Sequence, residues 1–368
     1  MKCTKKLLFL STGIIVPLIL VIIVLELIFG SWLGEDEWSK TRTINIIRDI
    51  QIKYNVENIY SKDLNTIIYT RDKNGLRGSC KDPKKIDVLT IGGSTTDQKY
   101  ISDGNTYQDL LQMLLSEKYG KQICVSNAGV DGHSTFGHLE SFKIWFPLVK
   151  GLKPKYFLFY IGINDAGFRT APNAGFDIIK RDGESIIFFA LRQNSAIYNS
   201  LRSLRNVMNG IFDKRVYAGH FKSKPSKNDY TATIKTNFIE AQIAKNTESF
   251  EKRFFELISQ ARSYGAKPIC VSQPHLLSKN VNGTIKGAEA VFEYLGVIYN
   301  GLDFEHSIST LNKSMMRICL ENEGYFIDIA SKKFKDDDFY DLVHMNQLGT
   351  KRLGNYMYEE FVRQKIAF

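Results

Sequence analysis

From Ile86 to the C-terminus, short apolar runs alternate with amphipathic stretches, and this alternation restricts the fold more than any other feature of the chain. An apolar run followed by a helical period is a β-α unit, and successive units stack their strands in parallel. The pattern predicts strands at Ile86 to Ile91, Gln122 to Ser126, Tyr156 to Ile161, Lys267 to Ser272 and Tyr325 to Asp328. It predicts helices over Thr106 to Tyr119, His138 to Val149, Asn246 to Tyr264 and His306 to Glu321, with Asn346 to Arg363 closing the chain. Five strands with helices between them imply a three-layer α/β/α domain over residues 85–368, built on a five-stranded parallel sheet.

Two stretches break the rhythm. Between Gly167 and Tyr230 the interval is too long for a simple crossover, so residues 168–230 read as an insertion beside the active-site edge. It contains a helical pattern from Phe188 to Arg205 and a basic stretch from Lys222 to Lys227 around Pro225. Residues 30–84 are polar and mixed, ending in turn-forming Asn74-Gly75 and the loop around Pro83, and read as a lead-in.

The first thirty residues stand apart. Residues 1–6 carry Lys2, Lys5 and Lys6, and an almost unbroken apolar run follows from Leu7 to Phe29. A bilayer needs about 20 such residues. No small-residue cleavage pattern follows the run, so it reads as an uncleaved transmembrane signal-anchor over residues 7–29. The lysines before it predict a cytoplasmic N-terminus and a catalytic domain outside the cytoplasm, periplasmic or extracellular. Trp32 and Trp38 are expected near the outer interface, and Glu26 is expected to reach the headgroups.

The formal charge is +10. The basic residues are spread along the chain rather than massed in a block, which reads as an ordinary solvated surface and excludes nucleic acid as a partner. Five cysteines are too few for a disulfide framework in 368 residues. Cys124 and Cys270 fall in strand-like apolar runs and read as core, while Cys80 and Cys319 are candidates to pair outside the cell.

In an open parallel sheet, ligands bind beyond the carboxyl ends of the strands. The segments there are Gly92-Gly93-Ser94-Thr95-Thr96-Asp97, Asn127-Ala128-Gly129-Val130-Asp131-Gly132-His133-Ser134, Gly162-Ile163-Asn164-Asp165 and Asp341-Leu342-Val343-His344. Taken singly, Ser94 reads equally as a helix cap, Asn164-Asp165 as a turn, Gly129 and Gly132 as turn glycines, and Asp341 and His344 as a cap on the last helix. Together, in this order, they resemble the four blocks of the SGNH or GDSL-type hydrolases, over Ile86 to the C-terminus.

The resemblance implies a flavodoxin-like sheet and a serine esterase. Ser94 would be the nucleophile, His344 its base and Asp341 the residue that orients the base. The backbone N–H groups of Ser94 and Gly132 and the side-chain amide of Asn164 would form the oxyanion hole. One position departs from the family: Gly93 stands where Gly-Asp-Ser has aspartate, which puts the support of that loop in question, with Asp97 as a conceivable substitute. The Gly-x-Ser-x-Gly elbow of the α/β-hydrolases is absent, since Thr96 stands at its second glycine.

Gln273, His275 and His133, just past predicted strand ends, are candidates for substrate contact. The spacing of Asp131, His133 and His138 matches no familiar metal motif, so neither metal nor cofactor is expected. The expected activity is hydrolysis of an acyl ester, such as O-acetyl, on carbohydrate. An O-acyltransferase acting on a surface polysaccharide would use the same acyl-enzyme, and a polymer-binding or assembly factor would keep the fold without turnover.

Overall fold

A computed structural model of the protein describes residues 2–34, 37–57, 59–60, 66–167, 177, 184–212, 230–236, 239–289, 292–294 and 297–368, with side chains of the first helix from Gly13 onward. The chain begins with α1 (Lys2–Phe29) and α2 (Glu37–Thr41), followed by a hairpin of β1 (Ile50–Asn55) and β2 (Thr66–Arg71). Then come β3 (Val88–Gly92), α3 (Ser94–Asp97), α4 (Tyr107–Tyr119), β4 (Val125–Asn127), α5 (Thr135–Glu140), β5 (Tyr156–Tyr160) and α6 (Ile163–Ala166). After α7 (Ile186–Asn194) and α8 (Ala196–Phe212) follow α9 (Ile239–Ser263) and β6 (Lys267–Val271). Two small hairpins, β7 (Ser278–Val281) with β8 (Thr284–Gly287) and β9 (Phe292–Tyr294) with β10 (Val297–Tyr299), lead to α10 (Gly301–Glu321), β11 (Tyr325–Ile327) and α11 (Gln347–Arg363).

The central sheet runs β4-β3-β5-β6-β11 with every pair parallel. Its five strands are those expected from the apolar runs. Chain order reverses at β3, which has β4 on one side and β5 on the other; this is the flavodoxin-like arrangement, and its crevice opens beyond the carboxyl ends of β3 and β5. A parallel sheet must be covered on both faces, and β3 and β5 are buried along their whole length. On one side α4 packs with α11; on the other α9 packs with α10 and α5.

Helix boundaries follow local chemistry. Thr106 and Asp109 form a capping box that starts α4, and Asn300 with Asp303 does the same for α10. The helix expected from His138 to Val149 begins earlier and breaks: α5 ends at Glu140 and gives way to a π turn at Ser141–Trp145 and a 3-10 turn at Phe146–Leu148. Pro147 lacks the N–H an α-helix would need there. The helix expected over Phe188 to Arg205 is two helices, because Ser195 takes an extended backbone between them. The Lys222 to Lys227 stretch lies outside the described residues.

The expected lead-in holds an ordered hairpin. In β2 the inward positions are Ile67, Tyr69 and Arg71. Glu26 does not reach outward as expected. It accepts hydrogen bonds from Ser195 Oγ (2.6 Å), Ala196 N (3.0 Å), Ile197 N (2.9 Å) and Trp32 Nε1 (2.8 Å), so its carboxylate caps α8. Among the described residues no helix is long and apolar enough to cross a membrane, so the expected transmembrane helix is not borne out by them. The backbone of α1 is helical over 28 residues, and the side chains before Gly13 lie outside the description.

The cysteines pair differently from expectation. Cys80 bonds Cys124 and Cys270 bonds Cys319, with Cα separations of 5.8 and 6.4 Å. The first bond follows from a backbone bridge between Arg77 and Asn127 that lays the approach to β3 alongside β4. Cys124 and Cys270 are buried as expected, yet both are bonded.

Candidate functional site

Ser94 opens the single turn of α3 directly after β3, at the point where strand order reverses. Its Oγ donates to His344 Nε2 at 2.7 Å, although 250 residues separate the two. His344 Nδ1 lies 2.6 Å from Asp341 Oδ2. The other carboxylate oxygen accepts the backbone N–H groups of Val343 (2.8 Å) and His344 (2.6 Å). With Asp341 ionised and fully buried, Nδ1 must carry the proton, which leaves Nε2 as acceptor for the serine hydroxyl.

The loop around the histidine is closed by Tyr340 N donating to His344 O at 3.0 Å and by a bridge between Phe339 and Met345. The Tyr340 ring lies parallel to the imidazole, with centroids 5.6 Å apart. Burial alone would lower the His344 pKa. The charge and hydrogen bond of Asp341, with a contribution from Asp131, outweigh it and hold the imidazole above its ordinary value.

The other two blocks converge on the same point. Asn164 sits in α6 past the end of β5, and its Nδ2 donates to His133 O at 2.8 Å. A primary amide has two N–H donors, so that bond uses one and orients the other. Gly132 takes φ +79°, a left-handed conformation that a side-chain-bearing residue adopts at a cost. A Cβ on Gly93 would collide with Asn164 Nδ2 and press on His133 O. The glycine that departs from the family pattern is therefore the place where the first, second and third blocks touch.

This junction is braced by Asp97, the residue considered as a substitute support for the loop, together with arginines that the sequence did not single out. Asp97, in the turn of Ser94, is 3% exposed and is held by Arg71 and by Tyr69 OH at 2.9 Å. Arg71 is itself 4% exposed and also donates to Gly75 O (2.9 Å) and Gly129 O (2.6 Å). One guanidinium thus joins the Ser94 turn to the loop that carries Gly132. Arg77 donates to the carbonyls of Asp97 and Gln98, each at 2.7 Å, and to Ile101. Asp165 accepts from Thr135 and pairs with Arg253, tying the Asn164 turn to α5 and α9. The readable signal was the spacing of Ile67, Tyr69 and Arg71, an arginine on the apolar face of a strand.

The three residues expected to touch substrate are placed differently from one another. Gln273 is buried, with Nε2 donating to Thr95 Oγ1 at 2.6 Å and Oε1 accepting from Ile163 N at 2.8 Å, so it braces the Ser94 and Asn164 turns from within. His133 is buried with Nε2 2.9 Å from Ile44 O. Both side chains are buried and bonded to partners within the protein. His275 pairs with Glu305 at 2.9 Å and borders a cavity of about 700 Å³ that also reaches Gln273, Asn312 and Lys332. No group of three or more side chains able to hold a metal occurs among the described residues.

No known protein family's sequence profile matches the chain, and no curated protein matches it. Among solved structures it is similar to Axe2, an acetylxylan esterase from Geobacillus stearothermophilus, at 13% identity, covering 74% of this chain and 92% of that one with a TM-score of 0.42. It is similar to an acetyl xylan esterase, AlAXEase, at 13% identity, covering 74% and 98% with a TM-score of 0.40. A GDSL-like lipase from Parabacteroides merdae matches at 13% identity, covering 77% and 98% with a TM-score of 0.40. The chemistry below stands on this chain's own side chains.

Proposed function

We propose that the chain is a serine esterase of the SGNH type that removes acyl groups, acetyl above all, from carbohydrate outside the cytoplasm. The observation that carries this is the unbroken hydrogen-bonded series from Ser94 Oγ through His344 to buried Asp341.

In that arrangement Ser94 Oγ attacks the ester carbonyl carbon as its proton passes to His344 Nε2. Asp341 accepts from Nδ1–H and stabilises the imidazolium that forms. Negative charge develops on the carbonyl oxygen, to be met by the backbone N–H groups of Ser94 and Gly132 and the second N–H of the Asn164 amide. Collapse expels the alcohol, which takes the proton from Nε2 and leaves an acyl group on Ser94. Water then attacks the acyl carbon with His344 again as base, and the acid departs as the serine proton returns. No cofactor enters these steps.

Placement outside the cytoplasm is supported by the two disulfides, which persist in oxidising compartments. Anchoring in the membrane is supported by the apolar run from Leu7 to Phe29 and by its side chains, Ile14 to Phe29, which are broadly exposed along α1. A carbohydrate substrate is supported by His275, Lys279, Asn280 and Asn312, side chains able to hydrogen-bond a sugar, in the cavity that borders Gln273, the brace behind the Ser94 and Asn164 turns.

The test is fluorophosphonate labelling and acetate release from acetylated oligosaccharides by the full-length protein in detergent, with Ser94→Ala as control. Labelling that depends on Ser94, together with acetate release, is expected. Absence of labelling overturns the esterase reading, and cleavage of long-chain acyl esters without acetate release overturns the carbohydrate one.

A further inference from the structure

The proposed nucleophile and its base come from segments 250 residues apart, and the 2.7 Å bond between them tolerates little error in how those segments sit. Ser94 begins α3 and Gln98 closes it, with Gln98 N donating to Ser94 O at 2.9 Å. His344 lies in the loop that ends at Asn346, the cap of α11. Asn346 N donates to Asp338 O at 2.9 Å, and the Phe339–Met345 bridge and the Tyr340–His344 bond close the loop above it. Whatever fixes the first turn of α11 against α3 therefore fixes the base of the histidine loop against Ser94.

Gln98 makes that connection with its side chain. Nε2 donates to Thr350 Oγ1 at 2.9 Å, in the first turn of α11 and 252 residues away in sequence. Thr350 N donates in turn to Asn346 O at 2.8 Å. The amide oxygen accepts at 3.0 Å from the N–H of Tyr107, the first residue of α4. A backbone N–H can only donate, so it holds the oxygen end and turns the nitrogen end to Thr350. Since α4 packs with α11, one amide sits where the Ser94 turn meets the starts of both helices. Gln98 and Thr350 are both buried, which makes their bonds costly to leave unmade.

The backbone of Gln98 is a second, independent observation. Its φ is +51° and its ψ +46°, which is left-handed. A glycine takes that conformation freely, and a glutamine does so at a cost. The backbone contacts give no reason for the glutamine: Arg77 and Ile101 N bond its carbonyl at 2.7 and 2.9 Å and would bond a glycine carbonyl equally well. Only the side chain offsets the strain, and strain held this close to a reacting group points to function.

We propose that Gln98 and Thr350 are positioning residues for the reaction of Ser94, their hydrogen bond setting the Ser94 turn in register with the loop that carries His344. The inference rests on the esterase reading. Both residues are buried, so they act through Ser94 and His344 rather than on the ester. Without the bond, α3 and α11 remain, but the reach from Ser94 Oγ to His344 Nε2 is no longer held. Proton transfer then slows while the ester binds as before.

The test takes the full-length protein in detergent and measures fluorophosphonate labelling rate, steady-state kinetics on a short acyl ester and thermal melting. Gln98→Gly and Thr350→Val should each lower labelling rate and kcat at least about tenfold, toward the roughly hundredfold cost of a 1 Å misplacement, with KM within about twofold of wild type. Thr350→Ser keeps the hydroxyl and should hold kcat within about threefold of wild type. Gln98→Gly sheds the left-handed strain that Gln98→Ala keeps, so it should melt higher than Gln98→Ala and yet be no more active. A purely structural role would instead make activity follow stability. The double variant Gln98→Gly, Thr350→Val should be no slower than its slower single, since both remove one bond. Wild-type kcat in either single, a loss confined to KM, equal losses in Thr350→Ser and Thr350→Val, or additive losses in the double overturns the inference and leaves the esterase reading standing. A wild-type protein that takes no fluorophosphonate overturns both.

Discussion

The side-chain amide of Asn164 fills the space that a side chain on Gly93 would need. The family pattern places aspartate at this position, and here the exchange to glycine lets two turns close on one another. Gly93→Asp, which introduces the aspartate of the Gly-Asp-Ser pattern that the sequence resembles, should therefore harm the protein. Displacing the Asn164 donor should lower kcat by about a hundredfold or more, with little of the loss in KM. Steady-state kinetics on a short acyl ester would check this.

Ser94→Ala and His344→Ala should each lower kcat at least about a thousandfold, and the double variant should be little worse than either alone, because the two act as one unit. Additive losses in the double variant would count against the shared role.

Asp341→Asn should lower kcat by about 10⁴-fold, because an amide no longer fixes the Nδ1–H tautomer. The asparagine oxygen can still accept from Val343 and His344 N, so the loop should stay in place. Thermal melting with unchanged midpoint beside lost activity is the expected pair of results.

His344 is held above its ordinary value of 6.5, and only its neutral form can take a proton from Ser94. The acid limb of kcat/KM should thus have its midpoint above 6.5. Stability runs the other way. A raised folded pKa contributes stability that is complete below the unfolded value and is lost as pH rises through the folded one. An NMR titration of the His344 ring in Ser94→Ala would locate the midpoint, and a value below 6.5 would refute the role given to Asp341.

Removing Arg71 leaves the buried carboxylate of Asp97 unpaired. Arg71→Met should cost about 3–5 kcal/mol in urea unfolding, and adding Asp97→Asn should recover part of that. Arg71→Lys should not restore the wild-type value, because an ammonium cannot bond Tyr69 OH, Asp97 and the carbonyls of Gly75 and Gly129 together.

The sheet was legible in the sequence because parallel strands buried on both faces are continuous apolar runs, and all five fell close to where those runs lie. Ser94, Asn164 and His344 were singled out because their blocks, each weak alone, fall in the order of the SGNH pattern, and the fold brings Ser94 and His344 into hydrogen-bond contact. The braces were not. Arg71 acts through contacts with Asp97 and Gly129, which are 26 and 58 residues away, and no local pattern announces such a contact. Gln273 was read as facing substrate because its place after β6 is right; the direction of its amide depends on Thr95 and Ile163. The disulfides were misread for the same reason, since a pairing depends on which segments lie side by side.

The carboxylate of Glu26 joins the end of α1 to the first turn of α8, and α8 lies against β1. A catalytic unit on a slack tether could swing and face any direction. Here the last turn of the leading helix is hydrogen-bonded through Glu26 to the start of α8. Whatever holds α1 therefore also bears on the direction in which the Ser94 turn faces.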